Sequence, residues 1–149
     1  MKTKLLLTGL ISLVIIASSL SFTVPENLVD DVLTYTNKFR KSKGLSVLDM
    51  RNDLNAIAQK HTDDMARGRV AFGHNGFDKR EDLARKACPS ATHFAENVAY
   101  GSTTGKDVVD GWKSSTGHRR NMLGPYKYIG IGVARDRKGV LYYTQIFID

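Results

Sequence analysis

The sequence predicts an α+β fold in which a small antiparallel sheet is flanked by helices. Three observations support this class. Helix-type spacing of apolar residues dominates the first part of the chain, two β-rich segments end it, and a glycine-containing turn joins those two segments. Because helices precede an antiparallel hairpin and do not alternate with strands, the order favours a mixed sandwich over a βαβ fold.

Four helices are predicted from apolar spacing and from residues that begin or end a helix. They cover residues 26–42, about 53–67, 79–87 and about 104–115. Gly44 and Gly68 are the expected terminators of the first two helices, and Asn52 or Asp53 is the expected N-cap of the second. Trp112 lies on the apolar stripe of the fourth helix, so it is expected in the core.

Three strands are predicted, over Phe94–Tyr100, Tyr128–Ala134 and Val140–Ile148. The last two segments are rich in β-branched and aromatic residues, which favour a pleated, half-buried surface. The residues between them, Asp136-Arg137-Lys138-Gly139, are typical of a hairpin turn with glycine at a position of positive φ.

The N-terminus has the pattern of a secretion signal. Lys2 and Lys4 precede an apolar run from Leu5 to Leu20, which corresponds to the charged and apolar regions of a signal peptide. Residues 1–21 are therefore predicted to be the signal peptide and 26–149 the domain; an uncleaved membrane anchor is the alternative. Removing residues 1–21 would leave 128 of the 149 residues, enough for one domain with a real core.

Charge and cysteine content narrow the classes of function. Removing the two signal lysines lowers the formal net charge from +7 to +5, and the charges are scattered without an arginine-rich arm. This favours a soluble basic surface over nucleic-acid binding, although such a surface can adhere to anionic lipid or cell-wall polymer. Cys88 is the one cysteine, which excludes an intramolecular disulfide and a cysteine zinc cluster. A free thiol and pairing between chains both stay open.

Two histidines and one glutamate form the candidate site. His74 lies in a glycine-flanked loop after the second helix, and His118 lies in a segment expected to be a loop after the fourth. Glu96, within an apolar run, needs a partner if it is buried. Two neutral imidazoles and a carboxylate can form an open zinc site that water completes. Successive members are 22 residues apart, a spacing that does not fix a shared face, so separate structural roles stay open.

Other polar residues are given structural roles. His61 lies on the apolar stripe of the second helix and is predicted to be a core or hydrogen-bonded histidine. His93 is predicted to be solvated. Asp78 and Arg80 are predicted to form an ion pair that holds the loop.

Five segments resemble motifs of the CAP superfamily, also called the SCP or PR-1-like domain. In chain order they are Leu54–His61, Phe72–Asp78, Ala95–Gly101, Trp112–Leu123 and Tyr142–Phe147. They cover nearly the whole mature chain, and the short, disulfide-free form is most similar to bacterial members. The resemblance implies an α-β-α sandwich and a secreted protein, which agrees with the predicted signal peptide.

The resemblance also implies a site. Eukaryotic members carry two histidines and two glutamates that can hold a divalent metal. His74 matches the first histidine and Glu96 the first glutamate, whereas Ser115 and Tyr142 stand where those members have the other glutamate and histidine. The bacterial-like pattern offers His118 instead. The implied metal site, for zinc or another divalent cation, is therefore His74, Glu96 and His118, with one carboxylate fewer.

A non-enzymatic extracellular binding module is the first function expected from this resemblance. Its partner would be a small lipid or sterol-like ligand, or a cell-wall or host extracellular component. Aromatic residues would wall the cavity: Tyr100, Trp112, Tyr126, Tyr128, Tyr142 and Tyr143. The expected location is extracellular, periplasmic or envelope-associated, with membrane contact only through the signal segment.

A divalent-metal-dependent hydrolase is the second function considered. Glu96 would act as base or His118 as acid toward an activated water. A serine hydrolase is disfavoured because Ser114 and Ser115 lack a nucleophile-elbow pattern, and a glycosidase lacks a second credible carboxylate. A purely structural domain is the third reading.

Overall fold

Five helices and four strands make up the part of the chain that the computed structural model describes, Val24 and residues 27–149. Helices α1 to α5 are Leu28–Ser42, Asn52–Ala66, Phe77–Ala87, Gly105–Ser114 and Thr116–Met122. Strands β1 to β4 are Asp49–Met50, Phe94–Tyr100, Tyr128–Arg135 and Leu141–Ile148. The predicted signal peptide, residues 1–21, lies outside the described residues. Within them, no helix has both the length and the apolar character needed to cross a membrane.

The strands form one sheet in the order β1-β3-β4-β2. Strand β4 is antiparallel to both β3 and β2, as predicted, whereas the two-residue β1 runs parallel to β3 and makes the sheet mixed. A two-residue strand carries no alternation that a sequence pattern could reveal. In the β3–β4 turn, the Asp136 carboxylate accepts from the backbone N–H of Lys138 and Val140, and Gly139 has the expected positive φ.

Helices cover both faces of the sheet. Helices α2 and α3 pack on one face around Leu54, Ala58 and Ala84, while α1, α4 and α5 pack on the other around Trp112 and Phe147. The α-β-α sandwich is thereby confirmed. Burial of these apolar side chains is the main term that stabilises a domain without disulfides.

Two glycines of β3 allow α2 to lie close to the sheet. A Cβ on Gly130 would lie 2.4 Å from the backbone of Leu54, and a Cβ on Gly132 would lie 2.5 Å from the backbone nitrogen of Gln59. Backbone atoms of a packed helix cannot swing aside as a flexible side chain can. The glycines are therefore required for the distance between α2 and the sheet, and hence for the position of the loop that follows α2.

Side chains of α2 replace β1 along the rest of β3. The Asn55 side chain accepts from the Ile131 N–H at 2.9 Å, and Gln59 accepts from the Val133 N–H at 3.0 Å while donating to the Val133 carbonyl at 3.0 Å. An unpaired strand edge otherwise offers its backbone groups to other chains. Beyond the two residues that pair with β1, the amide side chains of α2 thus form the hydrogen bonds that a longer β1 would have made to the same edge of β3.

Besides the unpredicted strand β1, the local differences from the sequence prediction lie at helix starts and in one short helix. Residues 116–122 form α5, where a loop is predicted, because seven residues with one buried apolar side chain carry too little periodicity. Helix α2 begins after Arg51, without a side-chain cap; Asp53 instead pairs with Arg51 at 2.5 Å. Cys88 is a buried free thiol.

We expect Gly132→Ala to lower the free energy of unfolding by about 2–3 kcal/mol, because overpacking against a backbone forces the helix away from the sheet. Gly111→Ala in α4 is the matched control. An added Cβ there meets nothing within 4 Å, so it should raise stability by about 0.5–1 kcal/mol through helix propensity. Urea denaturation of both variants measures the difference, and equal effects would contradict the close approach.

Candidate functional site

The loop between α2 and α3 carries His74 to the edge strand β2. Two side chains hold this loop by its backbone carbonyls. His61 Nε2 contacts the Gly73 carbonyl at 2.8 Å, and Arg80 Nη1 donates to the Asn75 carbonyl at 2.7 Å. Gly76 has a positive φ at the start of α3, a conformation that glycine adopts without strain. Loop backbone groups therefore have defined partners, and the position of His74 is set by them.

Glu96 of β2 is the buried centre of the site. Its side chain has no exposed area, and its two oxygens accept from Arg80 Nε at 2.5 Å and Nη2 at 2.8 Å. The same carboxylate contacts His74 Nδ1 at 2.8 Å. A buried carboxylate thus has the partner that its burial requires. The prediction that Arg80 pairs with Asp78 is wrong, because α3 turns the guanidinium inward to Glu96.

Helix α5 is tied to β2 by amide side chains. Asn121 Nδ2 donates to the Glu96 carbonyl and to Asn97 Oδ1, both at 3.0 Å, and Asn97 Nδ2 donates to the His118 carbonyl at 3.2 Å. From α4, Trp112 Nε1 donates to the Val98 carbonyl at 3.2 Å. These bonds satisfy the outer carbonyls of β2 and place His118 beside the strand.

Two separate shallow clefts, which share no lining residue, lie along β2 and α5, and the name β2 cleft is used for this pair of clefts. One, of about 270 Å³, is lined by His74, Glu96 and Asn121 with three apolar neighbours, Phe77, Phe94 and Ala95. The other, of about 370 Å³, includes the aromatic wall of Phe72 and Tyr100, and it also includes His118. The His74 side chain is 49% exposed, so it faces solvent although its partner carboxylate does not.

An exposed aromatic cluster forms one end of the β2 cleft. Phe72 contacts Tyr100 edge-on with ring centroids 4.8 Å apart, and Tyr142 stacks on Tyr100 at 5.6 Å. Phe72 is 47% exposed and Tyr100 58% exposed, which is unusual for large apolar side chains. Phe72 is not one of the predicted wall residues. Its position two residues before His74 in a short loop could have indicated that it lies near the site.

The other predicted wall aromatics lie elsewhere. Tyr143 and Trp112 are core residues, although Trp112 also forms part of the cleft floor. Tyr126 stacks on Phe147, and Tyr128 lies beneath the guanidinium of Arg51. Of the six predicted aromatics, Tyr100 and Tyr142 therefore belong to the exposed cluster at the cleft.

The remaining histidines lie outside the β2 cleft. His61 is buried, as predicted, and its hydrogen bond to the loop carbonyl gives it a structural role. His93 is exposed to solvent, as predicted, and it also contacts the carboxylate of the C-terminal residue Asp149 at 3.1 Å.

The side chains as arranged do not fit a metal centre. Both oxygens of Glu96 are engaged by a guanidinium, and a metal ion would have to displace that cation. Among Val24 and residues 27–149, no three His, Cys, Asp or Glu side chains are grouped so as to hold a metal ion. Metal binding by His74, Glu96 and His118 stays a prediction that requires Arg80 to move.

The arrangement orients His74 for hydrogen bonding to a ligand. A carboxylate accepts hydrogen bonds, so the His74 nitrogen facing Glu96 carries a hydrogen and Nε2 is left to interact outside the pair. For His118, burial first and the nearby His74 second lower the pKa below its usual value, so the ring is neutral at neutral pH. Each of the two clefts therefore presents one imidazole beside apolar side chains.

We expect Arg80→Leu to lower the free energy of unfolding by about 3–5 kcal/mol, because it leaves the Glu96 carboxylate buried without its main partner. Lys106→Ala is the matched control; its pair with Asp110 is exposed, so the loss should stay below about 1 kcal/mol. In Arg80→Leu/Glu96→Leu the two losses should be far from additive. Chemical denaturation gives all values, and additive losses would contradict a coupled pair.

We expect stability to fall as pH is lowered through about 6.5, the ordinary pKa of histidine. Burial lowers the pKa of both His61 and His118, so the unfolded chain takes up protons before the folded one does. The stability is complete above the unfolded pKa and is lost as pH falls toward the folded values. Thermal melts between about pH 7.5 and 5.5 measure this. His118→Asn should flatten the dependence, and an unchanged slope would refute the assignment.

Comparison with known proteins gives matches over most of the chain. The model of the CAP family, described as the cysteine-rich secretory protein family, matches residues 33–147. An uncharacterized membrane protein of Bacillus subtilis, YlbC, is 33% identical over 120 residues, which span 78% of this chain and 33% of that protein.

Two solved structures share the fold over a similar extent. A cysteine-rich secretory protein of Staphylococcus aureus, SAV1118, is 29% identical with a TM-score of 0.67, covering 82% of this chain and 38% of its own. An extracellular protein of Bacillus anthracis containing an SCP domain is 26% identical with a TM-score of 0.69, covering 82% of this chain and 40% of its own. The chain thus spans less than half of each of these relatives. Since the family model matches well over half of its residues, this chain belongs to the cysteine-rich secretory protein (CAP) family.

Proposed function

We propose that the chain is a secreted, non-enzymatic module that binds a fatty-acyl or sterol-type lipid in the β2 cleft. The observation that carries the proposal is an exposed aromatic cluster that shares one cleft with the His118 imidazole, with His74 in the neighbouring cleft along the same strand. The rings offer apolar contact area, and the imidazoles offer hydrogen bonds to a hydroxyl or carboxylate head.

Secretion is supported by two separate observations. The predicted signal peptide over residues 1–21 is one, and the similarity to extracellular CAP proteins is the other. An envelope-associated or periplasmic location follows from the same pattern if the segment is retained as an anchor.

The Arg80–Glu96 pair supports binding over hydrolysis. A general base must reach the proton that it removes, yet the Glu96 side chain is fully buried and both of its oxygens are occupied. Ser114, a weak nucleophile candidate, donates its hydroxyl back to the Asp110 carbonyl within α4. The metal-dependent hydrolase therefore has less support than a binding module in which Glu96 positions His74.

We expect Phe72→Ser/Tyr100→Ser to weaken lipid binding at least about tenfold, because it removes the exposed rings while leaving the core intact. The probes are dehydroergosterol and a dansyl-labelled fatty acid, titrated by fluorescence. Val47→Ser is the matched control, since Val47 is an exposed apolar residue beside α1 and β1, at the opposite edge of the sheet from β2 and outside the β2 cleft. Equal affinity of the double variant and the wild type would refute the lipid proposal, as would retention on pelleted peptidoglycan with no binding of either probe.

We expect zinc to bind weakly to the wild type and more tightly to Arg80→Ala, because the substitution frees the Glu96 carboxylate for a metal. Calorimetric titration measures both affinities. Heat that His74→Ala and His118→Ala each abolish would establish the predicted site, and heat unchanged in both would exclude it.

A further inference from the structure

A second cleft lies between α2 and α3 and shares no lining residue with the β2 cleft. This α2–α3 groove has a volume of about 400 Å³, within the range of small-molecule sites. Its apolar walls are Ile57, Val70 and Leu83, and Leu83 is 41% exposed. Such a groove has room for a single ring or a short branched chain.

A buried histidine in the groove has an unused hydrogen-bond acceptor. His61 is 4% exposed, and its Nε2 lies 2.8 Å from the Gly73 carbonyl. A carbonyl oxygen only accepts, so Nε2 carries the hydrogen, and in the neutral ring Nδ1 keeps its lone pair. Burial, the main cause, lowers the pKa of His61 and keeps the ring neutral. Within the described residues Nδ1 has no hydrogen-bond partner, although His61 lines the groove.

The charges around the groove favour an anion. Lys79 lines it and forms no ion pair within the described part of the chain. The one acidic side chain that lines it, Asp64, already pairs with Lys60 and Arg69. Arg80 lines the groove as well, but the Glu96 carboxylate balances its charge, so the cation available to a ligand is Lys79. An incoming carboxylate would therefore meet Lys79 without displacing an existing partner.

We propose that the α2–α3 groove is a second ligand site, for a small amphipathic anion with an aromatic ring, a hydroxyl and a carboxylate. The ring lies between Ile57 and Leu83, the hydroxyl donates to His61 Nδ1, and the carboxylate pairs with Lys79. This site is independent of the lipid proposed for the β2 cleft, and each can fail without the other.

The test uses 4-hydroxyphenylacetate and two analogues that each lack one group. The analogues are 4-methoxyphenylacetate, which cannot donate to His61, and tyramine, which has no carboxylate. Ligand-observed NMR and calorimetry on the purified chain give the affinities. We expect 4-hydroxyphenylacetate to bind about tenfold more tightly than either analogue, because the methoxy group cannot donate to His61 Nδ1 and the tyramine ammonium is repelled by Lys79.

Protein variants assign the binding to the groove. Lys79→Ala should weaken 4-hydroxyphenylacetate about fivefold or more, and Lys86→Ala, exposed on the same helix outside the groove, should not. In His61→Phe, with folding checked by circular dichroism, the hydroxyl and methoxy probes should bind equally. Lys79→Ala stays decisive if His61→Phe does not fold. Absence of binding, binding unchanged by Lys79→Ala, or binding abolished by His74→Ala instead would overturn the proposal.

Discussion

The ion pair between Arg80 and Glu96 is the interaction on which the rest of the site depends. It joins α3 to the edge strand β2 through two hydrogen bonds at 2.5 and 2.8 Å in a buried setting. The same guanidinium holds the loop at Asn75, and the same carboxylate holds His74. One pair therefore sets the strand, the helix and the loop that together form the cleft, and the desolvation of its two charges is offset by this set of bonds.

Polar side chains from the helices satisfy both edges of the sheet. On the β3 side this is done by Asn55 and Gln59 of α2; on the β2 side it is done by Asn121 of α5 and Trp112 of α4. Because these edge groups already have partners, the β2 edge is a poor template for strand addition. The cleft can thus stay open to solvent without exposing a strand edge that promotes association.

The local sequence pattern predicts most of the helices and strands. The features that it does not predict depend on contacts between residues that are distant in the sequence. The predicted bounds of the strand Phe94–Tyr100 agree with the structure, because seven residues are enough to show the apolar pattern of a strand. Strand β1 and helix α5 are too short to do so. The partner of Arg80 lies 16 residues away on another element, so no spacing rule could select Glu96 over the nearby Asp78. His74 and Glu96 are brought together as the family resemblance implies, whereas the fixed guanidinium beside them depends on how α3 packs.

Arg80 also supplies, from within the chain, the positive charge that balances the buried Glu96 carboxylate. The resemblance to eukaryotic CAP members implies a set of two histidines and two glutamates, in which a divalent cation would balance the negative charge of the carboxylates. Here one carboxylate remains, and a guanidinium bonded to both of its oxygens supplies that balance from within the chain. Once Glu96 is neutralised in this way, its remaining contact orients His74 toward the cleft. Ser115 stands where the resemblance implies a second glutamate, so Glu96 is the one carboxylate of this set, and Arg80 is its one guanidinium partner.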